Sequence, residues 1–249
     1  MDRTSAPLQT VIRAFEIIEL LWEGNITGPS DLTRQMDMPR STAHDYLRTL
    51  ESTGYVVRRD GQYHVGYRFL AMGSRLKHRN RLFHIAKPVL EQIASETGEL
   101  ATVSVEERGR WVVLHDESGP RSLNLGTYPG RRTPLHSHAA GKVILAHLPD
   151  ENVEEILDTH GLDPVTENTV TDVETLREEL RTIRDDGYAL DCNQQIPGMC
   201  VVAVPLLNDA TVLGALSLAT TTDRLKDSAF RSELIEHVRR GANTITNEY

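Results

Sequence analysis

Apolar residues first recur at helical spacing between Leu8 and Trp22. Val11, Phe15, Ile18 and Trp22 form a stripe that Ile17, Leu20 and Leu21 widen, which predicts a largely buried helix ended by Gly24-Asn25. A shorter helix over 27–36 starts at Pro29-Ser30 and turns Leu32 and Met36 inward. After a turn through Asp37 and Pro39, Met38–Tyr55 repeats the pattern more sharply. Ala43, Leu47 and Leu50 line one side with Tyr46 beside them, while Arg40, His44 and Arg48 recur every fourth residue on the other, flanked by Ser41 and Asp45. The period then changes to two. Tyr55–Val65 alternates around Asp60-Gly61, a dipeptide suited to the positive φ angles of a type I′ hairpin. Arg68–Arg81 returns to a helix, with apolar Phe69, Leu70, Met72 and Leu76 beside basic Arg75, Lys77, Arg79 and Arg81.

Beyond this point the elements are longer and more mixed. Helices are expected over Ile85–Thr97, Ser137–Leu148, Glu151–Thr159, Val173–Asp186 and Arg224–Asn247. Strands are expected over Leu100–Val105, Trp111–His115, Ser122–Leu125, Val201–Leu207 and Thr211–Leu218. The fold class is α+β. Residues 1–67 form a helical head with a hairpin, 68–81 a linker helix, and 82–249 an antiparallel sheet with helices packed on it.

Charge sharpens this division. The chain carries a net −9, yet residues 1–81 hold 12 Lys+Arg against 9 Asp+Glu, and the remainder 15 against 27. A mildly basic head on an acidic body suits a protein in which only the head meets nucleic acid. No apolar run approaches the roughly 20 residues of a membrane span, and the first residues lack a signal-peptide core, so the expected location is cytoplasmic with no membrane partner. Two cysteines, Cys192 and Cys200, are too few for a disulfide framework and suit a reducing compartment.

Two short helices joined by a tight turn form a helix-turn-helix, whose second helix enters the major groove; a hairpin behind them is the winged variant. The set read as DNA-binding is Arg40, Ser41, Thr42, His44, Asp45 and Arg48, with Arg58 and Arg59 near the hairpin tip. Arg can bond guanine edges bidentately and Ser can meet phosphate or base. The plainer alternative is an amphipathic surface helix and two solvated arginines.

The chain resembles the IclR family of transcriptional regulators from about Leu8 to its end. In the head the resemblance rests on MPRSTAHDYLRTLESTGYVVR and YHVGYRFLAMG. In the body it rests on ETGELATVSV, TPLHSHAAGKVILAHLP, DDGYALD and PGMCVVAVPLLNDATVLGALSLA. It implies a winged helix-turn-helix head, a GAF-like α/β effector-binding domain, and a homodimer or homotetramer on a palindromic operator in double-stranded DNA. It also implies a small-molecule effector controlling catabolic genes: a small organic acid, a sugar-derived compound or an aromatic metabolite. Three departures stand out. Asp45 occupies a reading-helix position where the family often has arginine. Asn193-Gln194-Gln195 replaces a usually acidic segment. The family's strand cysteine falls at Val201, with Cys200 one place earlier and expected to face away from the pocket.

Carried over by position, the implied effector residues are Ala139, Ala140, Asp191, Met199, Val201, Ser217 and Ala219. Small residues at a helix start leave N–H groups free for a carboxylate, and Asp191 and Ser217 would hold a hydroxyl end. No cofactor and no metal is expected. The alternatives are a zinc site among His115, His136, His138, Cys192 and Cys200, a ligand-free oligomeric regulator, and a hydrolase using Cys200 with His136 and Asp191.

Overall fold

In the computed structural model, which describes residues 7–249, three helices, a hairpin and a fourth helix described below build the first of two compact units. The helices are α1 (Gln9–Trp22), α2 (Pro29–Met36) and α3 (Arg40–Ser52); strands β1 (Val56–Arg59) and β2 (Gln62–Val65) pair antiparallel. Asp60 and Gly61 both take positive φ at the hairpin tip, as its sequence predicts. Asp37 ends α2 in the left-handed region, which brings buried Met38 back to the core and lets Pro39 precede α3. Ile17, Leu21, Leu32, Ala43, Leu47 and Leu50 share that core with Val56 and Tyr63. A Tyr63 N–H to Thr27 carbonyl bond of 2.9 Å fastens the hairpin to the α1–α2 loop.

Two expectations in this unit are corrected. Helix α1 buries only Ile17 and Leu21, while Val11, Phe15 and Trp22 are at least half exposed at 50, 58 and 72%. Its apolar surface is broader than α2 and α3 can cover. The basic-apolar helix, α4 (Arg68–His78), buries no residue, and it does not continue to Arg81. Asn80 interrupts it by accepting the Phe83 N–H on its side chain, which starts a new helix, α5 (Arg81–Thr97), four residues earlier than the expected Ile85.

The second unit, from Asn80 onward, holds a six-stranded antiparallel sheet. Its strands are β3 (Leu100–Glu107), β4 (Arg110–Ser118), β5 (Arg132–Pro134), β6 (Ala189–Cys192), β7 (Met199–Asn208) and β8 (Thr211–Thr221), in the order β5-β4-β3-β8-β7-β6. The helices of this unit are α5, α6 (Ala139–His147), α7 (Asp150–His160), α8 (Val173–Asp186), α9 (Thr222–Leu225) and α10 (Ser228–Glu248). Alternation along the strands splits the core in two. Leu100, Val201, Ala203 and Ala219 face α6 and α8, whereas Ala101, Val103, Cys200, Val202, Leu216 and Leu218 face α5 and α10.

Here too the structure departs from expectation. Ser122–Leu125 is not a strand; the outer edge of β4 is taken by β5, with the Val113 N–H donating to the Arg131 carbonyl. The closing helix is broken because Asp227 caps the N–H groups of Ala229 and Phe230, leaving α9 as a separate turn. Strand β6 has no counterpart in the expected set. It places Cys192 directly opposite Cys200, and the two are joined as a disulfide. The expectation of two unpaired thiols is therefore corrected, while Cys200 does face the α10 side.

Candidate functional site

Helix α3 presents one continuous polar face. Arg40, Ser41, His44, Asp45 and Arg48 are exposed and Thr42 is half-buried, while Ala43, Leu47 and Leu50 fill the opposite side. The arrangement follows from spacing alone, since residues four apart stack on one side of a helix. The hairpin carries Arg58 and Arg59, both exposed. Their guanidinium groups lie over the rings of Tyr63 (5.6 Å) and Tyr67 (5.4 Å), which limits the rotamers available to each. Arg68 donates to the Thr53 carbonyl and covers the Tyr55 ring at 4.7 Å, fixing the end of α3 against the start of α4.

The second candidate site is closed. All seven residues assigned to it (Ala139, Ala140, Asp191, Met199, Val201, Ser217 and Ala219) are buried. The sheet brings four of them together: Asp191 stands opposite Val201, which stands opposite Ala219, and Ser217 follows two places along on the same face. Met199 precedes Val201 by two and shares that face. Helix α6 begins against these residues. His138 caps it, its Nδ1 accepting the Gly141 N–H at 3.3 Å. That role leaves Nε2 as the protonated nitrogen, which donates to Thr133 Oγ1 at 3.3 Å. Gly141 is required, because a Cβ there would stand 2.0 Å from the Leu135 carbonyl oxygen.

Asp191 is the unusual group. It is 4% exposed and neither carboxylate oxygen has a hydrogen-bond partner among the described residues, although the Ala139 N–H points toward it. Burial pushes its carboxyl up to about 7, against the opposing pull of the Lys142 ammonium. Burial, aided by the Lys142 charge, holds His138 down at about 3, so its ring is neutral. Trp111 packs edge-on against His138 with ring centroids 4.3 Å apart, and its buried Nε1 also has no partner.

Sequence reasoning missed Lys142, Thr133, Gln194 and Gln195 as part of this site. Lys142 is 2% exposed, ion-pairs with Glu179 and donates to Gln194 Oε1 at 2.6 Å. Gln195 Nε2 donates to Thr133 Oγ1 at 3.3 Å. Gln194 and Gln195 were noted only as a departure from the family, and for Lys142 the available signal was its place inside the apolar run AAGKVILA, a position that demands a buried partner.

The alternative chemistries do not assemble. His136 Nε2 donates to the Asp163 carbonyl at 3.0 Å, His115 pairs with Glu117 at 2.8 Å and His138 caps α6. Among the described residues, no three His, Cys, Asp or Glu side chains gather to hold a metal. Cys200 is fully buried and bonded to Cys192 on the α10 side of the sheet, whereas Asp191 faces α6, so the two do not form a catalytic pair. Among the described residues no helix is long and apolar enough to cross a membrane.

Comparison with known proteins adds a pedigree to this geometry. Residues 10–60 match the IclR helix-turn-helix domain, and residues 75–247 match the bacterial transcriptional regulator IclR C-terminal domain. The chain is 30% identical over 243 residues to "Probable HTH-type transcriptional regulator ArcR" of Halobacterium salinarum, covering 96% of this chain and 92% of that one. The crystal structure of Thermotoga maritima IclR superposes with a TM-score of 0.80 at 28% identity, covering 96% and 98%. An IclR homolog from Microbacterium hydrocarbonoxydans, complexed with 4-hydroxybenzoate, does so with 0.80 at 26% identity, covering 95% and 96%.

Proposed function

Because the chain belongs to the IclR family of DNA-binding transcriptional regulators, we propose that it is an effector-responsive regulator of catabolic genes that binds a palindromic operator as a homodimer or homotetramer. The observation that carries the reading is the exposed polar face of α3 beside the two hairpin arginines. Arg40, Ser41, Thr42, His44, Asp45 and Arg48 would face the major groove, with Arg58 and Arg59 on flanking phosphate or the minor groove. We divide the chain functionally into a DNA-binding head (1–67), a linker (68–81) and an effector and oligomerisation domain (82–249).

A palindrome needs two heads. The exposed apolar residues Val11, Phe15 and Trp22 of α1, and Leu70, Met72 and Leu76 of α4, support self-association of the head unit. Phe15→Glu combined with Leu76→Glu should lower the mass in light scattering; an unchanged oligomer would place the contact elsewhere.

The effector site is assigned to the buried end of α6. A carboxylate ligand would take the α6 N–H groups, and the protonated form of Asp191, about half of it near pH 7, would donate to a second acceptor. The 4-hydroxybenzoate bound by the Microbacterium relative is in that chemical class, which supports screening small carboxylic acids first. Access requires the buried site to open, and an effector that binds better to one arrangement of the dimer would shift the spacing of its heads. The test is genome-wide mapping of bound sites, followed by operator titration with and without small acids that raise the melting temperature. Full operator affinity after Arg40→Ala and Arg48→Ala would sink the reading-helix assignment. An acid that binds without changing operator affinity would sink the coupling.

A further inference from the structure

The cysteine pair has a placement that the regulator reading does not use. Cys192 is the last residue of β6, next to Asp191; Cys200 is the second of β7, between Met199 and Val201. Strand alternation puts both sulfurs on the α10 side while Asp191, Met199 and Val201 line the candidate effector site on the other. The loop between the cysteines, residues 193–198, crosses to that site. Gln194 accepts from Lys142 through its side chain and from Thr166 and Thr169 through its carbonyl, and Gln195 donates to Thr133. The pair therefore closes the base of a loop whose tip contacts the groups around the start of α6.

The disulfide is not the sole tie between β6 and β7. Cys200 lies in an apolar core with Cys192 packed against it, and three further residue pairs of the β6–β7 ladder join the strands beside the cysteines. A cross-link over so short a loop removes less chain entropy than one over a long loop. In a compartment that keeps thiols reduced, disulfides of this kind are transient and redox-sensing. Accessibility also differs between the two, since Cys192 is only partly buried and Cys200 is fully buried.

We propose that Cys192 and Cys200 are a reversible oxidation site, and that their disulfide fastens the 193–198 loop over the start of α6. The control this exerts on ligand entry rests on the effector-site reading above. With hydrogen peroxide as oxidant, the Cys192 thiolate attacks one peroxide oxygen; the O–O bond breaks, hydroxide leaves and takes up a proton, and Cys192 becomes a sulfenic acid. The Cys200 thiolate then attacks the Cys192 sulfur; the S–O bond breaks and water leaves with the remaining proton. Two thiols and one peroxide give one disulfide and two waters. A dithiol reverses the reaction by thiol–disulfide exchange and is itself oxidised.

Full-length protein would be treated with dithiothreitol or with peroxide, and read by intact mass, thiol alkylation and hydrogen exchange of residues 193–198. The expected result is loss of two hydrogens and of both alkylatable thiols on oxidation, restored by dithiothreitol. Loop exchange should be roughly tenfold or more faster in the reduced protein, with the sheet amides unchanged. Cys192→Ser should exchange like reduced wild type whether or not peroxide is added. Because a change at buried Cys200 could disturb packing, Cys200→Ala would be used only after its circular dichroism matches wild type. Two thiols that stay alkylatable after peroxide, oxidation of Cys192 beyond sulfenic acid without a disulfide, or equal loop exchange in both states would each overturn the proposal. The effector-site reading is tested separately, by ligand titration of Cys192→Ser under reducing conditions, so the two can fail independently.

Discussion

The two candidate sites of this chain are built in opposite ways. In the head, five of six α3 residues and both hairpin arginines are exposed, and the apolar residues beneath them only hold the helix in place. In the body, all seven assigned residues are buried, and the polar ones stand among alanines, valines and a methionine. The partners explain the difference. DNA is larger than the head and must be met at a surface, where charge acts through solvent and phosphate contacts dominate. A small molecule has to be enclosed before a few polar groups can discriminate it, and enclosure raises the cost of each group left without a partner. Asp191 bears that cost; the arginines of α3 do not.

The contrast is broken most severely at the start of α6. Gly141→Ala forces a Cβ onto the Leu135 carbonyl, where backbone rather than a flexible side chain is in the way. The expected loss is about 4 kcal/mol from the C-terminal unit, read by denaturant unfolding, with little effect on the head. A loss under about 0.5 kcal/mol would mean that the close approach does not govern this end of the helix.

Next in size is the pH response of Asp191. Its folded value of about 7 lies above the unfolded carboxylate range, so the ionised form is disfavoured in the fold. The penalty is absent below about pH 4, grows as pH rises, and is complete above about 7, on the order of 4 kcal/mol. His138 acts the other way: its folded value of about 3 means that stability falls as pH drops below about 6.5. The difference between wild type and Asp191→Asn isolates the carboxyl. The variant should gain on wild type between pH 5 and 7.5 in melting experiments, and a flat difference would remove Asp191 as the strained group.

In the head the expected effects are smaller and concern binding. Arg48→Ala should cost about 1–3 kcal/mol in operator affinity and relax preference at one position per half-site. A uniform loss across all sequences would assign the arginine to phosphate. Asp45→Ala should be the smallest, about 1 kcal/mol or less, lowering preference for one cytosine. Uniform tightening on every DNA tested would instead mean that Asp45 only repels the backbone.

The head was legible because its elements are short, local and periodic. The i, i+4 spacing of Arg40, His44 and Arg48, and the Asp-Gly tip of the hairpin, specify their geometry within a few residues. The body's strands β3, β4, β7 and β8 were legible from their apolar runs, but β6 and β5 were not. Each is four residues or fewer and is a strand only because a neighbour offers a free edge. The candidate effector residues were reached by resemblance. Lys142 was missed because its partners, Glu179 and Gln194, lie 37 and 52 residues away.

By itself the sequence determined the polar face of α3, the hairpin, the division of charge between head and body, and the family, all of which depend on neighbouring residues or on the order of motifs. Only the tertiary structure decided which flank of α1 stays exposed, that β6 pairs with β7 and so sets Cys192 against Cys200, and that Asp191 is sealed beside α6 with no hydrogen-bond partner among the described residues. These depend on contacts between distant segments, and a periodic pattern shows that a face is buried without showing against what.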